Sequence, residues 1–269
     1  MDDRHRDLGQ FHDVGKLFPE DTPLESVTPD ATVAQALQVM LENHYSQLPV
    51  VEDGHVRGVF SLWSIARHLE SSPKVQMHGL AVEDVMESLP TVTVDHSLHD
   101  LLSLLDRHEA VLVGSPRVLQ AIATPSDVLR YLYGVARPFV LLGEIELALR
   151  ALISECAPGP KLQECIDRSI ARSSQSRGQP IPTKLESMTF EDYKNIVGAK
   201  ENWPLFEGVL GRNRELVLSK LSGIQRIRNA VFHFRDDVSV VDHQTLAATR
   251  DWLLSKSRRM QTSLGGADG

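Results

Sequence analysis

Apolar and polar positions follow the same order twice in the first half of the chain. Residues 26–40, "SVTPDATVAQALQVM", align with residues 91–105, "TVTVDHSLHDLLSLL": a β-like stretch, a Thr or Ser that can cap a helix, then apolar residues at helical spacing. In each copy, two β-rich stretches around a turn signal ("EDG" or "GSP") and a second amphipathic helix follow. The pattern predicts two β-α-β-β-α units, at residues 23–70 and 82–133, which bury their open sheet faces against each other.

From residue 137 onward, apolar residues recur every three or four positions, which is the period of a helix. A first helix is predicted to begin at Arg137 and Pro138, after the connector "GVA", and to end at "APGP", residues 157–160. Later stretches with the same period are "KLQECIDRSIARS", "TFEDYKNIVGAKENW", "NRELVLSKLSGIQRIRNAVFHF" and "DHQTLAATRDWLLSKSRRM". We therefore expect an all-α bundle of four or five helices.

These patterns divide the chain into four parts. Residues 1–20 form an N-terminal extension, whose "LGQFHDVGKLF" segment is expected to pack on the neighbouring sheet as an added strand or helix. An α+β domain occupies residues 21–134, and the helical bundle occupies residues 137–262. Residues 263–269, "SLGGADG", are predicted to be a disordered tail.

Composition narrows the class of protein. With 269 residues, of which 42% are hydrophobic, the chain is long enough for two globular domains. No run approaches the roughly 18 apolar residues of a membrane span, and the polar start "MDDRHRDLGQ" is unlike a signal peptide. Its two cysteines agree with a reducing compartment, so we expect a cytoplasmic protein with no membrane partner. The histidines lack metal-ligand spacing, which predicts no metal site.

The charge is unevenly distributed along the chain. The net charge of −8 argues against a simple nucleic-acid coat protein. Residues 1–134 carry 9 Lys and Arg against 20 Asp and Glu, whereas residues 135–269 carry 19 against 16. The second half therefore repels a polyanion such as RNA less than the first half does.

The second copy of the repeat carries polar residues that suit a nucleotide. Its segment "AIATPSDVL" places Thr124, Ser126 and Asp127 at the start of a helix. An Asp there can accept two hydrogen bonds from a ribose diol, and a Thr three residues earlier can reach the ribose or a phosphate. A helix N-terminus also favours nearby negative charge. The same spacing is equally that of a helix cap without any ligand.

This motif, together with the repeated element order, resembles the CBS-domain pair. The resemblance implies an adenine nucleotide or nucleoside as a regulatory ligand, in a cleft also lined by the start of the first copy, around Thr22 and Leu24. Ser64 stands where the first copy should have its Asp, so one of the two pseudo-symmetric sites is expected to be empty or altered. In "HEAVLVG" no basic residue directly precedes the core strand, since Arg107 and His108 belong to the helix end. This favours a nucleoside or monophosphate over a triphosphate.

One helix of the second half places a charged residue among apolar ones. On a wheel of about 100° per residue, Arg228 falls within the apolar arc of "NRELVLSKLSGIQRIRNAVFHF". Asn229 and His233 are neighbours on an adjoining face, toward which the long side chain of Arg228 can bend. Three explanations are open: a core arginine paired with a carboxylate such as Glu146, a homodimer interface, or a cluster for phosphate chemistry.

The segment "RNAVFH", in a long late helix of a small bundle, resembles the R-x4-6-H motif of HEPN domains. The resemblance implies a homodimeric, HEPN-like all-α fold in which Arg228, Asn229 and His233 form a metal-independent ribonuclease site, with no cofactor for catalysis. The chain is then predicted to be a ligand-regulated endoribonuclease acting on RNA in a stress response or phage defence. The alternative is a non-catalytic CBS nucleotide sensor whose helical domain serves dimerisation or partner docking.

Overall fold

A computed structural model of the chain divides between Tyr133 and Gly134 into two compact units. The first unit combines helices with small sheets, and the second is mostly helical, which confirms the predicted fold classes at that level. The residues that the structure describes are 13–18, 24–115, 118–176, 178, 180–233 and 238–265.

The first unit contains the predicted repeat. The first copy consists of α1 (Val33–Asn43), β1 (Gln47–Glu52), β2 (His55–Ser61) and α2 (Leu62–Ser71). The second copy consists of β3 (Thr91–Val92), α3 (Leu98–Leu105), β4 (Val111–Ser115), β5 (Val118–Ala123) and the start of α4 (Pro125–Cys156). Strands β1 and β2 pair antiparallel, as do β4 and β5, while β3 runs parallel to β4. The initial strand predicted for the first copy is reduced to one parallel bridge between Val27 and Val50.

The described part of the N-terminal extension packs on the second copy. Val14–Leu17 form a 3-10 helix, in which the amide nitrogens of Val14 and Gly15 donate to the carbonyl oxygens of His96 and Val94 at 3.0 and 2.9 Å. Val14 is fully buried in the core of that copy. The remainder of "LGQFHDVGKLF" lies outside the described residues.

The second unit is a set of helices around one core of buried apolar side chains. After α4 come α5 (Pro160–Ser169), α6 (Ala171–Ser176), α7 (Phe190–Gly198), α8 (Trp203–Leu210), α9 (Arg214–His233) and α10 (Val240–Gly265). Helix α7 packs against α5, α8 and α9, and α10 packs against α8 and α9. Buried side chains such as Leu149, Tyr193 and Leu221 form one continuous core.

The helical region differs from the predicted pattern in three places. Pro138 lies inside α4 rather than opening a new helix after "GVA". A proline removes one helical hydrogen bond, but Val128 and Leu141, on either side of Pro138, are anchored in separate cores, and that packing overrides the local cost. Helix α8, "WPLFEGVL", was not anticipated. Helix α10 continues to Gly265, into the segment predicted to be a disordered tail, and residues 266–269 lie outside the described residues.

Truncating a core leucine of α4 should destabilise the helical unit. Leu149 is fully buried, so Leu149→Ala is expected to lower the free energy of unfolding by about 2–5 kcal/mol, through lost transfer energy and a residual cavity. Leu147→Ala is the matched control: this leucine is 63% exposed two residues earlier, and its loss should change stability by less than about 0.5 kcal/mol. Urea unfolding followed by circular dichroism measures both; equal losses would contradict this description of the core.

Candidate functional site

The start of α4 leaves one carboxylate oxygen with spare bonding capacity. The backbone nitrogen and Oγ1 of Thr124 both donate to Oδ2 of Asp127, at 2.9 and 2.6 Å, which caps the helix. The second oxygen, Oδ1, lies 3.4 Å from Nη1 of Arg130, a long contact to a side chain that is 79% exposed. Oδ1 of Asp127 can therefore still accept hydrogen bonds from a ligand.

Asp127 lines a cleft between residues of the two copies of the repeat, with a volume of about 550 Å³. Of the predicted site residues, Leu24, Thr124, Ser126 and Asp127 all lie on its walls. Thr22 lies outside the described residues. The cleft falls in the size range of small-molecule sites, and its apolar walls include Leu24, Pro49 and Ile122.

The charged groups on the walls include some that the sequence had not indicated. Arg130 and His44 contribute basic groups, whereas Glu25 and Asp127 contribute carboxylates. Arg107 and His108 are not among the lining residues. Arg130 was detectable in principle, because it stands one turn after Asp127 on the same helix. His44 could not be detected from the sequence. It follows the last turn of α1 with a left-handed φ of 57°, and only the tertiary fold brings it to the cleft.

A smaller cavity, of about 210 Å³, has Arg57, Gly58 and Leu89 on its walls. These are the counterparts in the repeat of Gln120, Ala121 and Leu24, which line the larger cleft. Ser61 and Ser64, the counterparts of Thr124 and Asp127, are 5% and 3% exposed and cap α2 through each other's hydroxyl groups.

In the helical unit, the three residues of the predicted ribonuclease site lie along the last turns of α9. The Arg228 guanidinium stacks over the ring of Phe232, 4.9 Å from its centroid, and the buried Nε of Arg228 has no hydrogen-bond partner within the described part of the chain. Asn229 and His233 are exposed, and no hydrogen bond joins the three among the residues described. The structure thus places them on one helix end, and no hydrogen bond between them is formed within the described residues.

The ion pair considered between Arg228 and Glu146 is not formed. Glu146 pairs with Arg150 four residues along α4, and Nε of Arg150 donates to the hydroxyl of Tyr193 at 2.7 Å. This pair is partly buried, and through Arg150 it holds α4 to α7. Burial raises the pKa of Tyr193, although the nearby Arg150 opposes that shift.

Two kinds of feature are absent from the described residues. No helix in the described part combines the length and apolar character needed to cross a bilayer. Across those same residues, no three His, Cys, Asp or Glu side chains gather as metal ligands would.

Comparison with known proteins identifies the N-terminal region. Residues 14–71 match the family model of the CBS domain, which confirms that prediction for this segment. An uncharacterized protein of Methanocaldococcus jannaschii is 25% identical over 113 residues, which cover 40% of this chain and 36% of that protein. The chain thus spans about a third of the length of the curated relative it matches.

Solved structures are similar to part of the chain. A CBS-domain containing protein from Agrobacterium tumefaciens has a TM-score of 0.42 at 18% identity, covering 46% of this chain and 96% of that one. CBSX2, solved in complex with AMP, has a TM-score of 0.39 at 26% identity, covering 45% of this chain and 96% of that one. From the family match at residues 14–71 and the order of the elements, the chain has a CBS-like α+β region followed by a mostly helical region.

Proposed function

We propose that the CBS-like region is a sensor that binds an adenine nucleotide or nucleoside in the larger cleft, and that the helical region carries the response. The observation behind this proposal is Asp127, which lines a cleft of about 550 Å³ and whose Oδ1 has its acceptor capacity largely unused. A carboxylate whose second oxygen is already fixed by Thr124 is preorganised for its ligand.

Each part of such a ligand has a matching group in the cleft. The ribose diol donates to Asp127, whose charge strengthens those hydrogen bonds. A phosphate lies at the N-terminus of α4, next to Ser126, where the helix dipole favours an anion. The adenine ring packs against the apolar wall that Leu24 and Ile122 form.

The charges on the walls predict a preference for short phosphate chains. Glu25 and Asp127 repel additional phosphates, while Arg130 is too exposed to offset this fully. ATP is expected to bind more weakly than AMP by about fivefold, the equivalent of ~1 kcal/mol of like-charge repulsion across 4 Å of water. Isothermal titration of the full chain with adenosine, AMP and ATP, at one salt concentration and without magnesium, measures this order. Tighter binding of ATP would contradict it, and no binding of any of the three would overturn the sensor.

A second candidate function is that of a metal-independent endoribonuclease acting as a homodimer. The observation that favours it is the half-buried Arg228 in the last turns of α9, five residues before the exposed imidazole of His233 on the same helix. A guanidinium presents planar, bidentate donors that suit a phosphate oxyanion.

In that reaction His233 removes the proton of a ribose 2′-hydroxyl, whose oxygen attacks the adjacent phosphorus. In the paired copy the same residue protonates the departing 5′ oxygen, so a cyclic phosphate and a free 5′-hydroxyl result. Arg228 stabilises the charge that builds on the phosphoryl oxygens, and Asn229 orients the imidazole or the phosphate. Incubating the purified chain with labelled RNA in EDTA tests the activity. If RNA stays intact with and without nucleotide, the helical region serves dimerisation or docking instead.

A further inference from the structure

The caps of α2 and α4 occupy equivalent places in the two copies but differ in one group. Ser61 corresponds to Thr124, and Arg67 corresponds to Arg130. The carboxylate of Asp127 has no counterpart in the first copy, because Ser64 stands at that position. In the second copy, Asp127 accepts from both Thr124 and Arg130. The first copy has the matching hydroxyl of Ser61 and guanidinium of Arg67, but no carboxylate at position 64 to accept from them.

Glu87 supplies the missing carboxylate from the segment that joins the two copies. Its Oε1 accepts from the hydroxyl of Ser61 at 2.6 Å, and its Oε2 pairs with Nη1 of Arg67 at 2.6 Å. The side chain of Glu87 is 16% exposed, so the pairing is shielded from solvent. Both oxygens of Glu87 are engaged at short distance, unlike Oδ1 of Asp127.

The backbone holds Glu87 in this position. The amide nitrogen of Val59 donates to the carbonyl of Glu87 at 2.8 Å, and the reverse hydrogen bond is 2.9 Å. Gly58, the neighbour of Val59, must be a glycine for β2 and the Glu87 segment to come this close. A Cβ on Gly58 would lie 2.9 Å from the carbonyl oxygen of Glu87. The equivalent residue in the second copy is Ala121, so that copy lacks the glycine that this approach requires.

The two cavities reflect this difference. The larger cleft reaches the cap of α4, with Thr124 and Asp127 on its walls. The smaller one includes Gly58 and Ser88 but not Ser61, Ser64 or Arg67 among its described lining residues. At about 210 Å³ it is also below the ~300 Å³ at which small-molecule sites begin.

We infer that Glu87 acts as an internal ligand that closes the second cleft, so that each chain takes one nucleotide rather than two. That Glu87 closes the second cleft rests on its contacts alone. That each chain binds one nucleotide rests also on the proposed nucleotide binding. Two measurements separate these parts.

The first measurement is the stoichiometry of AMP binding by isothermal titration of the full chain. The wild type should bind one AMP per chain, and the double variant Glu87→Thr with Ser64→Asp should bind two. Thr189 and Asp192 show that this chain accommodates a buried carboxylate in such a cap, with Thr189 Oγ1 donating to Asp192 at 2.8 Å. Glu83→Thr removes an exposed acid nearby and should leave the count at one. Two sites in the wild type, or one in a folded double variant, overturns the inference.

The second measurement needs no nucleotide and follows the reaction of an introduced thiol with a disulfide reagent. Ser61→Cys should react at least about tenfold more slowly than Thr124→Cys, because Glu87 shields it, and adding Glu87→Ala should remove the difference. Native thiols give little background, since Cys165 is buried and burial raises the pKa of Cys156 to about 11. Equal reaction of the two introduced thiols while Glu87 is present overturns the closure. If AMP fails to bind the wild type, the sensor proposal and the count fail, and the thiol result decides the closure separately.

Discussion

Replacing Asp127 with asparagine is expected to weaken AMP binding by about tenfold to a hundredfold, the range that follows from 1.5–3 kcal/mol for a hydrogen bond to a charged group. The amide oxygen of asparagine can still accept from Thr124, so the start of α4 should persist. Its amide nitrogen, however, presents a donor to the ribose hydroxyls and carries no charge. Isothermal titration of both proteins with AMP measures the loss, and circular dichroism confirms the helix.

A matched carboxylate elsewhere separates ligand binding from capping. Asp100 accepts from the hydroxyl of Ser97 at 2.8 Å at the start of α3, in the same manner as Asp127, and it does not line the larger cleft. Asp100→Asn should leave AMP affinity unchanged. If both variants bind AMP as the wild type does, the cleft is not a ribose site; if both lose binding equally, the effect is one of stability.

Local chemistry explains why much of the first unit could be predicted. The turn "EDG" became the hairpin between β1 and β2 because Asp53 and Gly54 adopt φ values of 50° and 74°, as a two-residue hairpin turn requires. The spacing of Thr124 and Asp127 gave the helix cap, since both partners lie within one turn. Features set by three or four neighbouring residues are readable from the sequence.

Long-range contacts explain what could not be predicted. Glu87 is 26 residues from Ser61, and no periodicity relates the two positions. The sequence showed only that Ser64 had replaced an acid, and hence that the first site was altered. The residue that closes it became visible once the fold brought the connecting segment against β2.

The helical unit shows the same division between local and tertiary effects. The wheel correctly set Val217, Leu221, Ile224 and Ile227 in the buried core, because a helix has a fixed period. The surroundings of Arg228 depend on rotamer and neighbours. The guanidinium of Arg228 lies over the ring of Phe232, four residues later in α9, and Glu146 pairs with Arg150 instead. Both contacts join residues four apart on one helix, so helical spacing allows them, but that spacing alone does not show which of several possible partners each side chain takes.

Substituting alanine for Arg228 or His233 is expected to reduce RNA cleavage by about a hundredfold or more, the size of effect seen when one transition-state donor or general acid-base group is removed. His233 is exposed in the last turn of α9, so its loss leaves the core intact. Arg228→Lys should also be slow, because an ammonium replaces the planar fork with a single point charge. The measurement is the initial rate of cleavage of a labelled RNA by the full chain in EDTA.

Arg226 provides the control for charge on the same helix. Its Nη2 pairs with Oδ1 of Asp242 at 2.9 Å, and its side chain is largely exposed, so Arg226→Ala removes one positive charge from α9 without touching Arg228. It should retain most of the cleavage rate if Arg228 acts at a defined phosphate, because a general electrostatic attraction for RNA would weaken equally in both variants. Equal losses would assign α9 to nonspecific RNA binding. Unchanged cleavage in His233→Ala would exclude this imidazole from the reaction and leave the helical region as a dimerisation or docking module.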